Sequence, residues 1–248
     1  MNSLKLLLSG GSPALPYAGE ILSKAGIEIA QEPSADTAVV LLPVPSFDDR
    51  GSIKGGGSLG GLLQGLSKDV LILGGNLNHP ACQDYETVDL LQDSDYAAQN
   101  PAITAHCAIR EAMGLLPVTL EGQSVLVIGW GRIGKCLARL LRGLDARVTI
   151  AARKEADRAM AAALGYTAIG LGEIQSRNYR LIYNTAPAPI LPEEDSPALK
   201  IDLASRKGMG GKDVVWARGL PGKDTPESSG SLIARRVLSI LKEKGYVL

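Results

Sequence analysis

Short apolar runs recur along this chain, each bounded by glycine, proline or small polar residues, and helix-period stretches lie between them. In the first half the runs are Leu4–Leu8, Ile27–Ala30, Ala38–Leu42, Val70–Leu73 and Val88–Leu91. In the second they are Val125–Ile128, Arg147–Ala151, Thr167–Ile169, Leu181–Tyr183, Leu199–Leu203 and Val214–Ala217. Runs this short and this continuous predict strands buried on both faces of a parallel sheet. Helices are predicted over Ala14–Ala25, with Gly26 as stop, over Asn100–Met113, with proline in the first turn, and over Glu155–Leu164. A short helix is expected around Gly172–Ser176, and a last one over Ser229–Lys244, with Ile233, Val237, Ile240 and Leu241 on one face. Pro43-Val44-Pro45 ends the third run, because proline cannot donate to a ladder. Phe47–Gly61, rich in glycine, aspartate and serine, reads as a mobile loop. Its Gly55-Gly56-Gly57 lacks the G-K-[ST] ending of a phosphate-binding P-loop.

The most informative stretch is Ser124–Arg153. The apolar run Val125–Ile128 passes directly into Gly129-Trp130-Gly131-Arg132-Ile133-Gly134, a G-x-G-x-x-G pattern. A helix-period segment follows, with Ile133, Leu137, Leu140, Leu141 and Leu144 on one face, and the run Arg147–Ala151 closes the unit. Strand, glycine turn, helix, strand is the context a dinucleotide-binding fingerprint requires. Gly129 allows the tight turn, Gly131 the approach of a pyrophosphate, and Gly134 the close packing of helix on strand. The helix amino end then faces the phosphates with free N–H groups. Arg132 is placed to reach the pyrophosphate, and Trp130 to cover the turn. The second strand ends Ala151-Ala152-Arg153-Lys154, with no carboxylate before Glu155. An NAD site usually carries Asp or Glu there for the ribose 2′-hydroxyl, whereas an NADP site carries room and an arginine. Arg153, with Lys154, therefore points to NADP, with NAD possible; a solvated Arg-Lys pair is the bland alternative.

Strands alternating with helices make this an α/β protein, and 248 residues give room for about two domains. Two Rossmann-like domains are expected. Residues 1–99 form the smaller, flavodoxin-like α/β domain, a substrate or cap domain. Residues 100–228 form a doubly wound parallel-sheet NAD(P)-binding domain, opened by a helix that bridges the two across a cleft. The last helix, 229–248, is expected to pack back on the first domain.

Charge and composition narrow the partners. Lys+Arg and Asp+Glu both number 26, so no field of one sign favours nucleic acid or an anionic membrane. Aromatics are 4% of the chain, so the core is built of leucine, isoleucine, valine and alanine. Cys82, Cys107 and Cys136 are widely spaced and form no metal pattern or disulfide framework. No metal is expected, and a reducing cytoplasm is the natural setting. Leu4–Leu8 is too short for a secretory leader or a membrane span.

Ligands of open α/β sheets sit beyond the carboxyl ends of strands. That places Pro43, Ser46 and Asn76 among candidate substrate contacts, and Asn184, Thr185 and Pro187 beside the nicotinamide ribose. Each is also readable as an ordinary turn residue.

Asn100…Thr104, the glycine fingerprint, Ala152-Arg153, Asn184-Thr185-Ala186-Pro187, Asp202-Leu203-Ala204-Ser205-Arg206, Gly219-Leu220-Pro221-Gly222 and Pro226…Ser229-Gly230 occur here in order. In this the chain resembles the A-subunit family of dipicolinate synthase, over about Gln92–Leu241. The resemblance implies the architecture of two-domain hydroxyacid dehydrogenases. It also implies NAD(P)-dependent oxidation of a dihydro- or hydroxytetrahydro-dipicolinate to pyridine-2,6-dicarboxylate. With it come a partner, the flavoprotein B subunit of dipicolinate synthase, and the mother-cell cytoplasm of a sporulating bacterium; a homo-oligomer is expected besides. The first half is shorter than is usual in that family. His106 stands where it carries a carboxylate, and Lys207 where a proline often follows Ser-Arg.

A dicarboxylate substrate calls for cations and N–H donors. Arg206, with Ser205 beside it, is a candidate for a substrate carboxylate or for orienting its loop; an internal ion pair is the alternative. Asn100 and Thr104 are candidates for the substrate or the nicotinamide amide. His106 is a candidate proton acceptor, against the plainer reading of a surface histidine. Two other functions compete: a dehydrogenase of another small carboxylic acid, and a non-catalytic nucleotide-binding component of a flavoprotein complex.

Overall fold

The computed structural model describes residues 3–191 and 196–247. The chain forms two compact units, one made of the residues up to Asn100 and from Pro221 onward, the other of Pro101–Leu220. In chain order the elements of the first part are β1 (Lys5–Leu8), α1 (Ala14–Lys24), β2 (Glu28–Ala30), β3 (Val39–Leu41), α2 (Leu59–Leu63), β4 (Leu71–Gly74), β5 (Glu86–Asp89) and α3 (Ser94–Leu115). There follow β6 (Ser124–Ile128), α4 (Arg132–Gly143), β7 (Arg147–Ala151), α5 (Glu155–Ala163), β8 (Thr167–Ile169), β9 (Leu181–Asn184), β10 (Leu199–Asp202), β11 (Val214–Trp216), α6 (Leu220–Asp224) and α7 (Pro226–Glu243).

The first unit holds a five-stranded parallel sheet ordered β2-β1-β3-β4-β5, the flavodoxin-like order. Leu7 pairs with both Ala30 and Val40, and Val40 with Ile72. β3 and β4 lie inside the sheet, and Val39, Val40, Leu41, Leu71, Ile72 and Leu73 are fully buried. Their unbroken apolar run is what burial on both faces demands. The helix α7 packs on α1, and Gly230 makes the approach possible. A side chain there would run into the Ala14 carbonyl and Tyr17.

The second unit holds a six-stranded parallel sheet ordered β11-β10-β9-β6-β7-β8. Counted within the unit from its far edge this is 3-2-1-4-5-6, the doubly wound dinucleotide-binding order, with its switch point between β6 and β9. Val127 pairs with Ile150 on one side and Tyr183 on the other. On one face Val125, Val127, Ile150 and Tyr183 pack with Leu137 and Leu141 of α4 and with Ala105 and Ala108 of α3. On the other, Leu126, Ile128, Ala151 and Ile182 pack with Leu191 and Met209. The two-domain α/β class expected from the apolar pattern is the fold observed.

Two expectations are corrected. The helix expected from Asn100 begins at Ser94 and carries Pro101 in its interior. Its start is made by Asp93, whose Oδ1 accepts the Tyr96 N–H at 2.9 Å. Phe47–Gly61 is an organised segment. Phe47 bridges Ile53, which is 2% exposed, and Asp48 accepts the N–H groups of Arg50 and Ser52. The Gly11 N–H donates to the Lys54 carbonyl at 2.7 Å, and Ser58 caps α2.

Candidate functional site

The second unit gathers three strand ends around one cavity of about 560 Å³, a size typical of small-molecule sites. The turn after β6 supplies Gly129, Trp130 and Gly131. The end of β7 supplies Ala152, Arg153 and Lys154, and the loop after β9 supplies Thr185, Ala186 and Pro187.

Gly129 adopts φ 101°, and a Cβ on it would collide with Thr185 Oγ1. That hydroxyl donates to the Ile128 carbonyl at 2.9 Å, so Thr185 closes β9 onto β6 directly behind the glycine turn. Gly134 is buried, and a Cβ there would meet the Gly129 carbonyl oxygen, so only glycine lets α4 seat so close to β6. No side chain caps α4, whose first ladder bond runs from Lys135 N to Gly131 O at 3.0 Å. Its opening N–H groups are therefore available to an anion.

Trp130 contributes mainly as a wall. It is 6% exposed and packs edge-on to Tyr166, with ring centroids 5.6 Å apart. Its Nε1 has no hydrogen-bond partner among the described residues. Arg132 is exposed in the first turn of α4, and Ile133 packs inward on the core. Arg132, Ile133 and Gly134 support the cavity without lining it.

At the tip of β7, Arg153 and Lys154 are both exposed. Asp157, in the first turn of α5, also lines the cavity. Arg158 Nη1 donates to two consecutive carbonyls, Ala152 O at 3.0 Å and Arg153 O at 2.9 Å. Neither Asp157 nor Arg158 stands out in the sequence. Side chains of a helix lean toward its amino end, so a residue one turn inside α5 covers the strand tip before it. That lean, applied to the predicted helix, is the signal that points to Arg158.

A buried polar pair organises the adjoining loops. Asp202 is 0% exposed. Its carboxylate accepts the N–H groups of Ala204, Gly208 and Met209 at 2.7–3.0 Å and the Asn184 side-chain amide at 3.0 Å. Asn184, also 0% exposed, donates to the Ala186 carbonyl and accepts its N–H. Direct cofactor contact, expected of Asn184, is corrected: burial commits it to shaping the Thr185–Pro187 loop. The same network holds the loop carrying Ser205, Arg206 and Lys207, all exposed. On one face of β9, burial pushes the Tyr183 phenol far up from its ordinary value, and its hydroxyl donates to the Ala108 carbonyl at 3.0 Å.

In the first unit the segments at the ends of β3 and β4, Pro43–Ser46 and Gly74–Asn76, lie together. Ser46 joins them: its Oγ donates to the Pro43 carbonyl at 2.8 Å and accepts the Gly75 N–H at 2.9 Å. Ser46 is fully buried and Pro43 is buried, so their expected role as substrate contacts is corrected to a structural one. Asn76 is exposed, with φ 57°. On α3, His106 is exposed while Ala105, Cys107 and Ala108 face the core; Asn100 and Thr104 are half-buried. His79 is structural, stacking on Phe47 at 4.7 Å and accepting the Ala81 N–H. Among the described residues there is no cluster of acidic, cysteine and histidine side chains that could hold a metal. No described helix is long and apolar enough to cross a membrane.

Comparison with known proteins agrees with this geometry. Residues 89–189 match the NAD-binding domain of D-isomer specific 2-hydroxyacid dehydrogenases. The chain is 29% identical over 171 residues to the A subunit of dipicolinate synthase from Bacillus subtilis, a match that covers 63% of this chain and 58% of that protein. The crystal structure of the Bacillus halodurans A subunit superposes with a TM-score of 0.84 at 22% identity, covering 97% of this chain and 99% of that one. D-lactate dehydrogenase from Escherichia coli has the same fold, with a TM-score of 0.68 at 16% identity over 98% of each chain. The resemblance to the dipicolinate synthase A subunit therefore holds in sequence and in fold, and the cofactor class of the second unit is a nicotinamide dinucleotide.

Proposed function

We propose that this protein is an NADP-dependent oxidoreductase that oxidises a dihydro- or hydroxytetrahydro-dipicolinate to dipicolinate. The observation that carries it is the cavity at the ends of β6, β7 and β9, with a glycine turn at its floor and Arg153 and Lys154 at its rim. The residues fit the cofactor. The free amino end of α4 and Arg132 suit the pyrophosphate, Arg153 and Lys154 a 2′-phosphate, and Thr185 and Pro187 the nicotinamide ribose.

When bound, the nicotinamide would supply the hydride acceptor for aromatisation of the dihydro-ring, which also gives up a proton; a hydroxytetrahydro-dipicolinate would first lose water to reach the dihydro level. The chain's own task is to position the substrate and take that proton. Arg206, with Ser205, is assigned to a substrate carboxylate, Asn100 and Thr104 to the substrate or the carboxamide, and His106 to the proton. Asn76 is assigned to the substrate from the first unit. A B subunit, suggested by the name of the related A subunit and read as a flavoprotein, completes the reading with self-association and a mother-cell cytoplasmic setting. A different small carboxylic acid as substrate is favoured by one feature, the imidazole of His106 where the related family carries a carboxylate.

The test is reduction of NADP, followed by its near-ultraviolet absorbance, with freshly generated dihydrodipicolinate, in the absence and presence of a B subunit. Reduction in either mixture supports the proposal, and none in both refutes it. Turnover of another acid only establishes the second reading. For the cofactor, Arg153→Ala is expected to weaken NADP roughly tenfold or more and NAD far less. Equal losses in titration calorimetry would refute the phosphate role.

A further inference from the structure

We propose that Arg158 is the positioning residue that sets selectivity for a 2′-phosphorylated dinucleotide, by holding the turn that carries Arg153 and Lys154. The inference rests on the NADP reading. It deepens that reading by identifying a side chain that need not touch the ligand.

The strand ladder persists one residue past β7, where the Ala152 N–H donates to the Ile169 carbonyl at 3.1 Å. Beyond Ala152 the chain leaves the sheet, and two exposed cations follow. A turn so placed, carrying long charged side chains, has little of its own to hold it. Arg158 supplies the restraint. Half-buried, Arg158 places one guanidinium nitrogen, Nη1, between the Ala152 and Arg153 carbonyls from α5.

Two consequences follow from peptide geometry and charge. A trans peptide points its N–H opposite to its C=O. Drawing the Ala152 and Arg153 carbonyls toward Arg158 therefore turns the N–H groups of Arg153 and Lys154 the other way, on two residues that line the cavity. A phosphate arriving there meets backbone donors as well as cations, and the repelling carbonyl oxygens are engaged elsewhere. Second, the tip and first turn of α5 contain Arg153, Lys154, Glu155, Asp157 and Arg158. Without Arg158, cations and carboxylates would balance in number, with the Asp157 carboxylate in the cavity wall. With it, the local charge favours an anion. A ribose 2′-hydroxyl needs neither property, so Arg158 separates the two dinucleotides rather than aiding both.

The experiment measures dissociation constants of the full-length protein for NADP and NAD. Adenosine 2′,5′-bisphosphate and adenosine 5′-monophosphate serve as probes without the nicotinamide half. Arg158→Met keeps the packing and removes the donors; Arg158→Lys keeps the charge but loses the planar guanidinium and its reach. Arg158→Met is expected to weaken NADP and the bisphosphate about tenfold while changing NAD and the monophosphate less than about threefold. Arg158→Lys is expected to fall between, and it reads the same ratio if Arg158→Met does not fold. A wild-type protein without NADP preference overturns the cofactor reading and this inference together. A wild type that prefers NADP, with a ratio unmoved in both variants or with equal losses on both dinucleotides, overturns the role of Arg158 alone.

Discussion

Gly129 is the residue on which the cofactor turn depends most directly. Its backbone lies at φ 101°, and the space beside it is filled by Thr185 Oγ1. Gly129→Ala adds a strained backbone and a clash in one step. It is expected to cost about 2–4 kcal/mol in urea unfolding, with loss of nicotinamide nucleotide binding. Unfolding unchanged within error would show that the turn has another conformation available. Gly129, Gly134 and Arg153 are legible in the sequence because their roles follow from position within one local motif. Asp202 and Asn184 are not legible in the same way. Each is the polar last residue of its strand, but what it binds is a set of backbone groups brought near only by the fold. Ser46 misleads for the same reason: a serine at a strand end looks like a ligand contact until its two partners are known.

Strands prove more legible than helix starts. Short runs of β-forming residues bounded by turns mark strands directly, so β7 and the partly buried edge strand β8 have the bounds read from sequence. The start of α3 escapes because Asn100-Pro101 is the stronger local cue, while the true start depends on a distant partner. Arg236 of α7 donates from Nε to Asp93 Oδ1 at 2.8 Å, and its Nη1 pairs with Glu243 at 2.8 Å. Burial works to raise the Asp93 carboxyl. The Arg236 and Tyr96 hydrogen bonds and the arginine charge outweigh it and hold the group below the ordinary aspartate value. The Arg236 hydrogen bond does the same for Glu243. Both folded values are depressed, so this stabilisation is present above the unfolded-state values, near pH 4, and is lost as pH falls through the folded ones. Arg236→Met is expected to cost about 1–3 kcal/mol at neutral pH and to flatten the stability loss below about pH 4. Chemical denaturation across that range reads both, and an unchanged acid slope would refute the linkage.

For the whole molecule the main fact is the chain path. The first unit is interrupted after Asn100 and resumed at Pro221, with the second unit inserted between. Its α1 is covered by α7, through the gap that Gly230 keeps open. Gly230→Leu is expected to cost about 2–4 kcal/mol, because the new side chain meets backbone as well as Tyr17. Calorimetry should show the loss in the first unit while nucleotide binding by the second is retained. Equal damage to both would show that they unfold as one. During translation the inserted unit can mature while α1, made before it, still waits, its greasy side bare, for α7, made after it. The part begun first is thus finished after the part begun second, and that interval is when a chaperone would be of most use to this protein.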